Sequence, residues 1–151
     1  MIMWILFAAH AFSAAYQSMD AQAMIEGWME LIPGGPWGTI IAMQVILFLM
    51  AMVLDPVGIM LITLPVFMPI VQSLGFDPIW FGILFVINME IGYMTPPFGF
   101  NLFYLKGVVP PSITMQDIYR SVLPYVMVGI VGLAIIMMFP QIATWLPGYV
   151  F

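Results

Sequence analysis

The sequence predicts an all-α integral membrane protein organised around a helical hairpin and a broken transmembrane helix. Three observations lead there. Of 151 residues, 64% are hydrophobic and 6% are charged, whereas a soluble domain is roughly a quarter charged and about half apolar. Such a chain cannot cover a water-facing surface. The few charges also divide it into long neutral runs, comparable with the roughly 20 residues that cross a hydrocarbon core about 30 Å thick. Finally, Pro and Gly cluster inside two of those runs, where they interrupt helix. The composition excludes other classes: 15% aromatic content argues against disorder. Two cations, Lys106 and Arg120, against seven carboxylates give a net charge of −5 and offer no basic face to nucleic acid. Without cysteine there are no disulfides, thiolate metal sites or thiol nucleophiles.

Residues 1–19 carry no formal charge and predict a transmembrane helix. Ala9 and Ala11 imitate a signal-peptide cleavage site, but the basic leading region is missing. His10 has no second ligand at helical spacing and reads as a packed or interface-facing residue. In residues 20–33 the apolar Met24, Ile25, Trp28, Leu31 and Ile32 recur at helical spacing, apart from Asp20, Glu26 and Glu30. This predicts an interfacial amphipathic helix, with Trp28 suited to the headgroup zone. Pro33-Gly34-Gly35-Pro36 ends it.

Residues 36–76 predict a re-entrant helical hairpin. Trp37 to Leu54 and Pro56 to Ser73 are apolar arms joined at Asp55-Pro56, each about 27 Å long as helix. One straight helix would overshoot the bilayer. Asp is a strong N-cap and Pro suits the first helical position, so Asp55-Pro56 starts a new helix directly after the previous one ends. Pro65 and Pro69 distort the returning arm, and Gly75 with Asp77-Pro78 closes the unit. The tip can lie within the membrane if it lines a protein cavity.

Residues 78–109 predict a broken transmembrane helix. Ile79 to Ile91 is helical in pattern, and Gly92-Tyr93-Met94-Thr95-Pro96-Pro97-Phe98-Gly99 then breaks it before Leu102 to Val109 completes the crossing. A short surface helix over 112–120 and a C-terminal transmembrane helix over 121–147, bent at Pro140, complete the chain.

A helix unwound inside a membrane frees carbonyls for a cation, and the resumed half-helix can face an anion. Asp55, Asn88, Glu90, Thr95 and Asn101 are the polar side chains near the two interruptions, and an ionisable residue there marks function by default. Other readings stand beside this one. Asp55 caps the second arm, borders a site, or does both; Glu90 handles an ion, pairs with Lys106 or faces a wet vestibule. Asn101 lines a site or bonds across helices. Thr95, ahead of Pro-Pro, is expected to have its hydroxyl and neighbouring carbonyls free of helical partners. The sixteen Met residues fill irregular packing. No base and nucleophile pair stands at usable spacing, so no enzymatic chemistry is expected.

Several strings then carry a resemblance: Met52-Val53-Leu54-Asp55-Pro56, Leu64-Pro65-Val66-Phe67-Met68-Pro69, Leu74-Gly75-Phe76-Asp77-Pro78, and above all Thr95-Pro96-Pro97-Phe98-Gly99-Phe100-Asn101-Leu102-Phe103. From about Trp37 onward the chain resembles the C-terminal part of the large membrane subunit of TRAP (tripartite ATP-independent periplasmic) transporters, the DctM-like permeases. The resemblance implies one inverted repeat of an elevator-type secondary transporter, multi-pass in the bacterial inner membrane and embedded in the lipid bilayer. It also implies sodium-coupled import of an organic acid such as a dicarboxylate, delivered by a periplasmic substrate-binding protein, together with a small TRAP membrane subunit. No cofactor beyond the coupling ion is implied. On this basis Ala51 to Pro56 forms the hairpin tip and Gly92 to Gly99 the break. Ala51, Asp55, Asn88, Gly92, Thr95, Pro96, Gly99 and Asn101 then surround the ion and substrate, with sodium held through Thr95, Gly92 and Asp55. Family members commonly have Gly where this chain has Ala51. The family subunit is far longer, with room here for little more than its last third, so a partial copy is expected. The alternative is a truncated, non-transporting partner in assembly or regulation of full-length permeases. Lys106 and Arg120 place their loop in the cytoplasm by the positive-inside rule.

Overall fold

The computed structural model describes residues 2–19, 27, 33–96, 99–146 and 149, and the regular structure among them is helical. The helices are α1 (Ile2–Ser18), α2 (Gly35–Ala51), α3 (Pro56–Ser73), α4 (Pro78–Tyr93), α5 (Phe100–Val108), α6 (Met115–Met138) and α7 (Gln141–Thr144). Of the expected interfacial helix over 20–33 only Gly27 and Pro33 are described, so it lies outside the described residues, as do Pro97 and Phe98 of the break.

Local chemistry sets the starts. Asp55 caps α3 by accepting the Gly58 N–H at 2.9 Å, and Asp77 caps α4 through the N–H groups of Ile79 and Trp80 at 2.7 and 3.2 Å. In both, Pro follows at a position whose N–H has no helical partner in any case. α3 continues through Pro65 and Pro69 without interruption, where each proline withholds one backbone donor.

The C-terminal part differs from the sequence expectation. A single helix, α6, runs from Met115 to Met138, where the sequence predicts a surface helix over 112–120 and a separate span over 121–147. Its start is a reciprocal cap: the Thr114 N–H donates to Asp117 Oδ2 at 2.9 Å, and the Asp117 N–H returns a bond to Thr114 Oγ1 at 3.3 Å. Pro124 is absorbed inside the helix, which runs on to Met138 just before Pro140. At Pro140 the chain does more than bend: α6 has ended at Met138, and the short α7 begins at Gln141.

α4 is the centre of the bundle, packed by α2, α3, α5, α6 and α7, while α1 lies against α3. Its core face is Trp80, Phe81, Leu84, Phe85 and Met89, met by Ile40, Met43 and Leu47 of α2 and Ile59, Ile70 and Val71 of α3. The outside is apolar too: Val86 is 65% exposed and Val128 71%. Of α6, only Ile118 and Val126 are buried. An apolar periphery of this kind requires a lipid or protein surround. α3 and α6 are long and apolar enough to cross a membrane, by length and composition; α2 and α4 are apolar but shorter.

Candidate functional site

α2 and α4 run in the same direction. Trp37 meets Trp80 edge-on at 5.9 Å, Gln44 meets Asn88, and Ala51 meets Gly92, so the contacts climb both helices together. The two C-terminal ends therefore converge.

At that convergence the backbones touch. A Cβ built on Gly92 would stand 2.3 Å from the Ala51 Cβ and 3.3 Å from its carbonyl carbon. Ala51 fits because position 92 has no side chain. Beyond Ala51 the N–H groups of Val53 and Leu54 both bond back to the Met50 carbonyl, at 3.0 and 2.8 Å, and Asp55 opens the return helix. Beyond Gly92 the N–H groups of Met94 and Thr95 close on the carbonyls of Ile91 and Gly92 at 3.2 and 3.0 Å, which ends α4 in a tight turn.

The Thr95 hydroxyl has a partner, contrary to the sequence expectation: it donates to the Ile91 carbonyl at 2.7 Å. The side chain folds back onto its own helix because that carbonyl is the nearest acceptor at the end of α4. Its oxygen keeps lone pairs for a ligand. Pro96 follows, half-buried. The chain resumes at Gly99, whose φ of +42° suits glycine. A Cβ there would stand 2.7 Å from Leu102 Cδ1 and 3.4 Å from the Thr95 carbonyl oxygen. Ala51, Gly92, Thr95 and Gly99 thus form one continuous knot of main chain.

The acidic side chains flank it. Asp55, Tyr93 and Asn101 line a cavity of about 290 Å³, and Glu90 and Tyr93 line an adjoining one of about 300 Å³. Asn101 Nδ2 donates to Glu90 Oε1 at 3.2 Å, joining the two sides of the break. Glu90 takes this partner rather than Lys106, whose Nζ donates to the Ile113 carbonyl. Asn88 is set back from the knot: it is buried in the α2–α4 seam, and its Nδ2 donates to the Gln44 carbonyl at 2.8 Å and to Gln44 Oε1 at 2.6 Å.

Gln44 and Tyr93 are the residues the sequence alone does not single out. For Gln44 a signal was present, since it is the lone polar side chain between Ile40 and Leu54. Among the described residues no three His, Asp or Glu side chains gather as a metal site.

The profile of the family described as tripartite ATP-independent periplasmic transporter, DctM component, matches residues 1–142. The C4-dicarboxylate TRAP transporter large permease protein DctM of Pseudomonas aeruginosa is 33% identical over 149 residues, 99% of this chain and 34% of that protein. The protein of the same name from Vibrio cholerae is 41% identical over 113 residues, 75% of this chain and 24% of that protein. The ectoine TRAP transporter large permease protein TeaC of Halomonas elongata is 33% identical over 125 residues, 83% and 29% of the respective chains. The chain spans about a third or less of the length of these relatives. With its broken helix, its hairpin turn and this match along nearly its whole length, the chain belongs to the DctM family of TRAP transporter large permeases.

Proposed function

We propose that the chain supplies the ion-coupling half of a TRAP large permease, which imports an organic anion on a sodium gradient across the bacterial inner membrane. The observation that carries this is the meeting of two helix C-termini at Ala51 and Gly92. Each terminus presents carbonyls without helical donors and the negative end of a helix dipole. Together they favour a cation, with the Thr95 oxygen as a further ligand and Asp55 as the nearby countercharge. The N-terminus of α5, capped by Gly99 without a side-chain acceptor, leaves N–H groups for an anion on the other side of the break.

In this proposal the hairpin and the broken helix form one inverted repeat of an elevator-type transport domain. A small membrane subunit and a periplasmic binding protein complete the machine. The relatives are named for substrates as different as C4-dicarboxylate and ectoine, so the anion class rests on the relatives named for C4-dicarboxylate.

The test is uptake into proteoliposomes holding the chain, the small subunit and the binding protein. An inward sodium gradient should drive accumulation of a labelled C4-dicarboxylate. Equal uptake on a potassium gradient would remove sodium coupling, and no uptake under either would remove transport by this chain.

A further inference from the structure

The α2–α4 seam is apolar along its length, with Ile40, Met43, Leu47 and Ala51 facing Trp80, Leu84 and Met89, and apolar seams fit nearly as well after a slip along the axis. One pair interrupts it. Gln44 is 5% exposed and Asn88 1%, and among the described residues the side-chain hydrogen bonds between α2 and α4 both come from Asn88 Nδ2. The pair is incompletely satisfied: Gln44 Nε2 and Asn88 Oδ1 are buried without a partner. A buried polar pair with one orphan donor and one orphan acceptor adds little to stability and can oppose it, compared with apolar groups of the same shape.

We infer that the Gln44–Asn88 pair sets the axial register of α2 against α4, and so positions the hairpin turn against the helix break. A slip of one turn would put Ile40 or Phe48 opposite Asn88, and neither offers a side-chain acceptor. Asn88 lies one turn before Gly92 on α4, and Gln44 two turns before Ala51 on α2. The amide pair and the backbone contact are therefore successive points on one seam, and the first fixes the second. A single buried amide that specifies register at a cost in stability is a known device in helix pairs. Gln44 and Asn88 are positioning residues, distinct from the groups that would touch an ion.

The test reads a distance, so it stands independently of sodium coupling. The chain has no cysteine. Leu49→Cys and Val86→Cys, at positions 58% and 65% exposed, carry spin labels on α2 and α4 in lipid-reconstituted protein, and their separation is measured by pulsed electron resonance. The native pair should give one narrow distribution. Gln44→Met with Asn88→Leu should broaden it or add a population shifted by up to the helical pitch of about 5.4 Å. Gln44→Met alone should broaden it too, because residues 40, 44 and 48 then offer Asn88 the same main-chain carbonyl and no side-chain acceptor. An unchanged distribution in the double variant would overturn the inference, as would a distribution left narrow in Gln44→Met alone. Loss of helicity in the double variant would also overturn it, by making the pair a source of stability instead of register.

Discussion

Ala51 and Gly92 approach so closely that a methyl group on Gly92 would lie 2.3 Å from the Ala51 Cβ, with backbone immediately behind it. Neither helix can yield by a side-chain rotation, so Gly92→Ala must push the hairpin arm from the break. Overpacking of this kind costs about 1–3 kcal/mol. The companion change Ala51→Gly removes the opposing methyl, so the double variant should recover most of the loss. Thermal melts of the four proteins in detergent check this; a Gly92→Ala protein as stable as the parent would show that the contact is looser than described.

Asp55 separates two roles through its two simplest replacements. Its Oδ2 accepts the Gly58 N–H at 2.9 Å, a cap that Asn also provides, whereas Ala gives it up at about 1 kcal/mol. Asp55→Asn should therefore melt close to the parent and Asp55→Ala lower. If the carboxylate also serves as countercharge to sodium, Asp55→Asn should weaken the sodium response at least tenfold while stability holds. A sodium titration unchanged in Asp55→Asn would leave Asp55 as a cap alone.

Thr95 lends itself to an isosteric test. Its hydroxyl donates to the Ile91 carbonyl at 2.7 Å, so Thr95→Val removes one neutral hydrogen bond, worth about 1 kcal/mol, and the only side-chain oxygen in the knot. Sodium should raise the melting temperature of the parent over potassium at matched ionic strength, by linkage of about 2.7 kcal/mol at a hundred times Kd. Thr95→Val should abolish that increment and Thr95→Ser should keep it. A sodium increment that survives in Thr95→Val would place the ion elsewhere.

What was legible in the sequence divides by range. Asp55-Pro56 and Asp77-Pro78 declare helix starts because cap and capped N–H lie within three residues. The break at Gly92 to Gly99 is equally local, a matter of missing donors and a positive φ. The partners of the site residues are another matter. Nothing near Asn88 announces Gln44, 44 residues earlier, and nothing near Gly92 announces Ala51, because packing between helices depends on which faces meet. Thr95 shows the converse error: its hydroxyl looked free because the prolines after it remove donors, yet the acceptor it needed was four residues before it. Likewise Lys106 resembled a partner for Glu90 by charge, but it reaches the Ile113 carbonyl in the loop after α5.

Trp80 and Pro140 are coupled by a carbonyl that neither owns. Pro140 has no N–H, so the Ile136 carbonyl loses the donor that a helix would have supplied from four residues ahead. The Trp80 indole Nε1–H takes that place at 2.9 Å, reaching across from the first turn of α4. Trp80 is 1% exposed and also stacks on Phe76 at 5.3 Å, so Trp80→Phe keeps most of the ring packing while stranding the carbonyl. The expected loss is about 1 kcal/mol, the net worth of one hydrogen bond to a part-buried acceptor. In a Pro140→Ala background the new N–H at 140 can serve Ile136, and the same Trp80→Phe change should cost less. A double-mutant cycle read by unfolding in detergent should return a coupling of about 0.5–3 kcal/mol. Additive losses would mean that the indole bond does not replace the proline's missing donor.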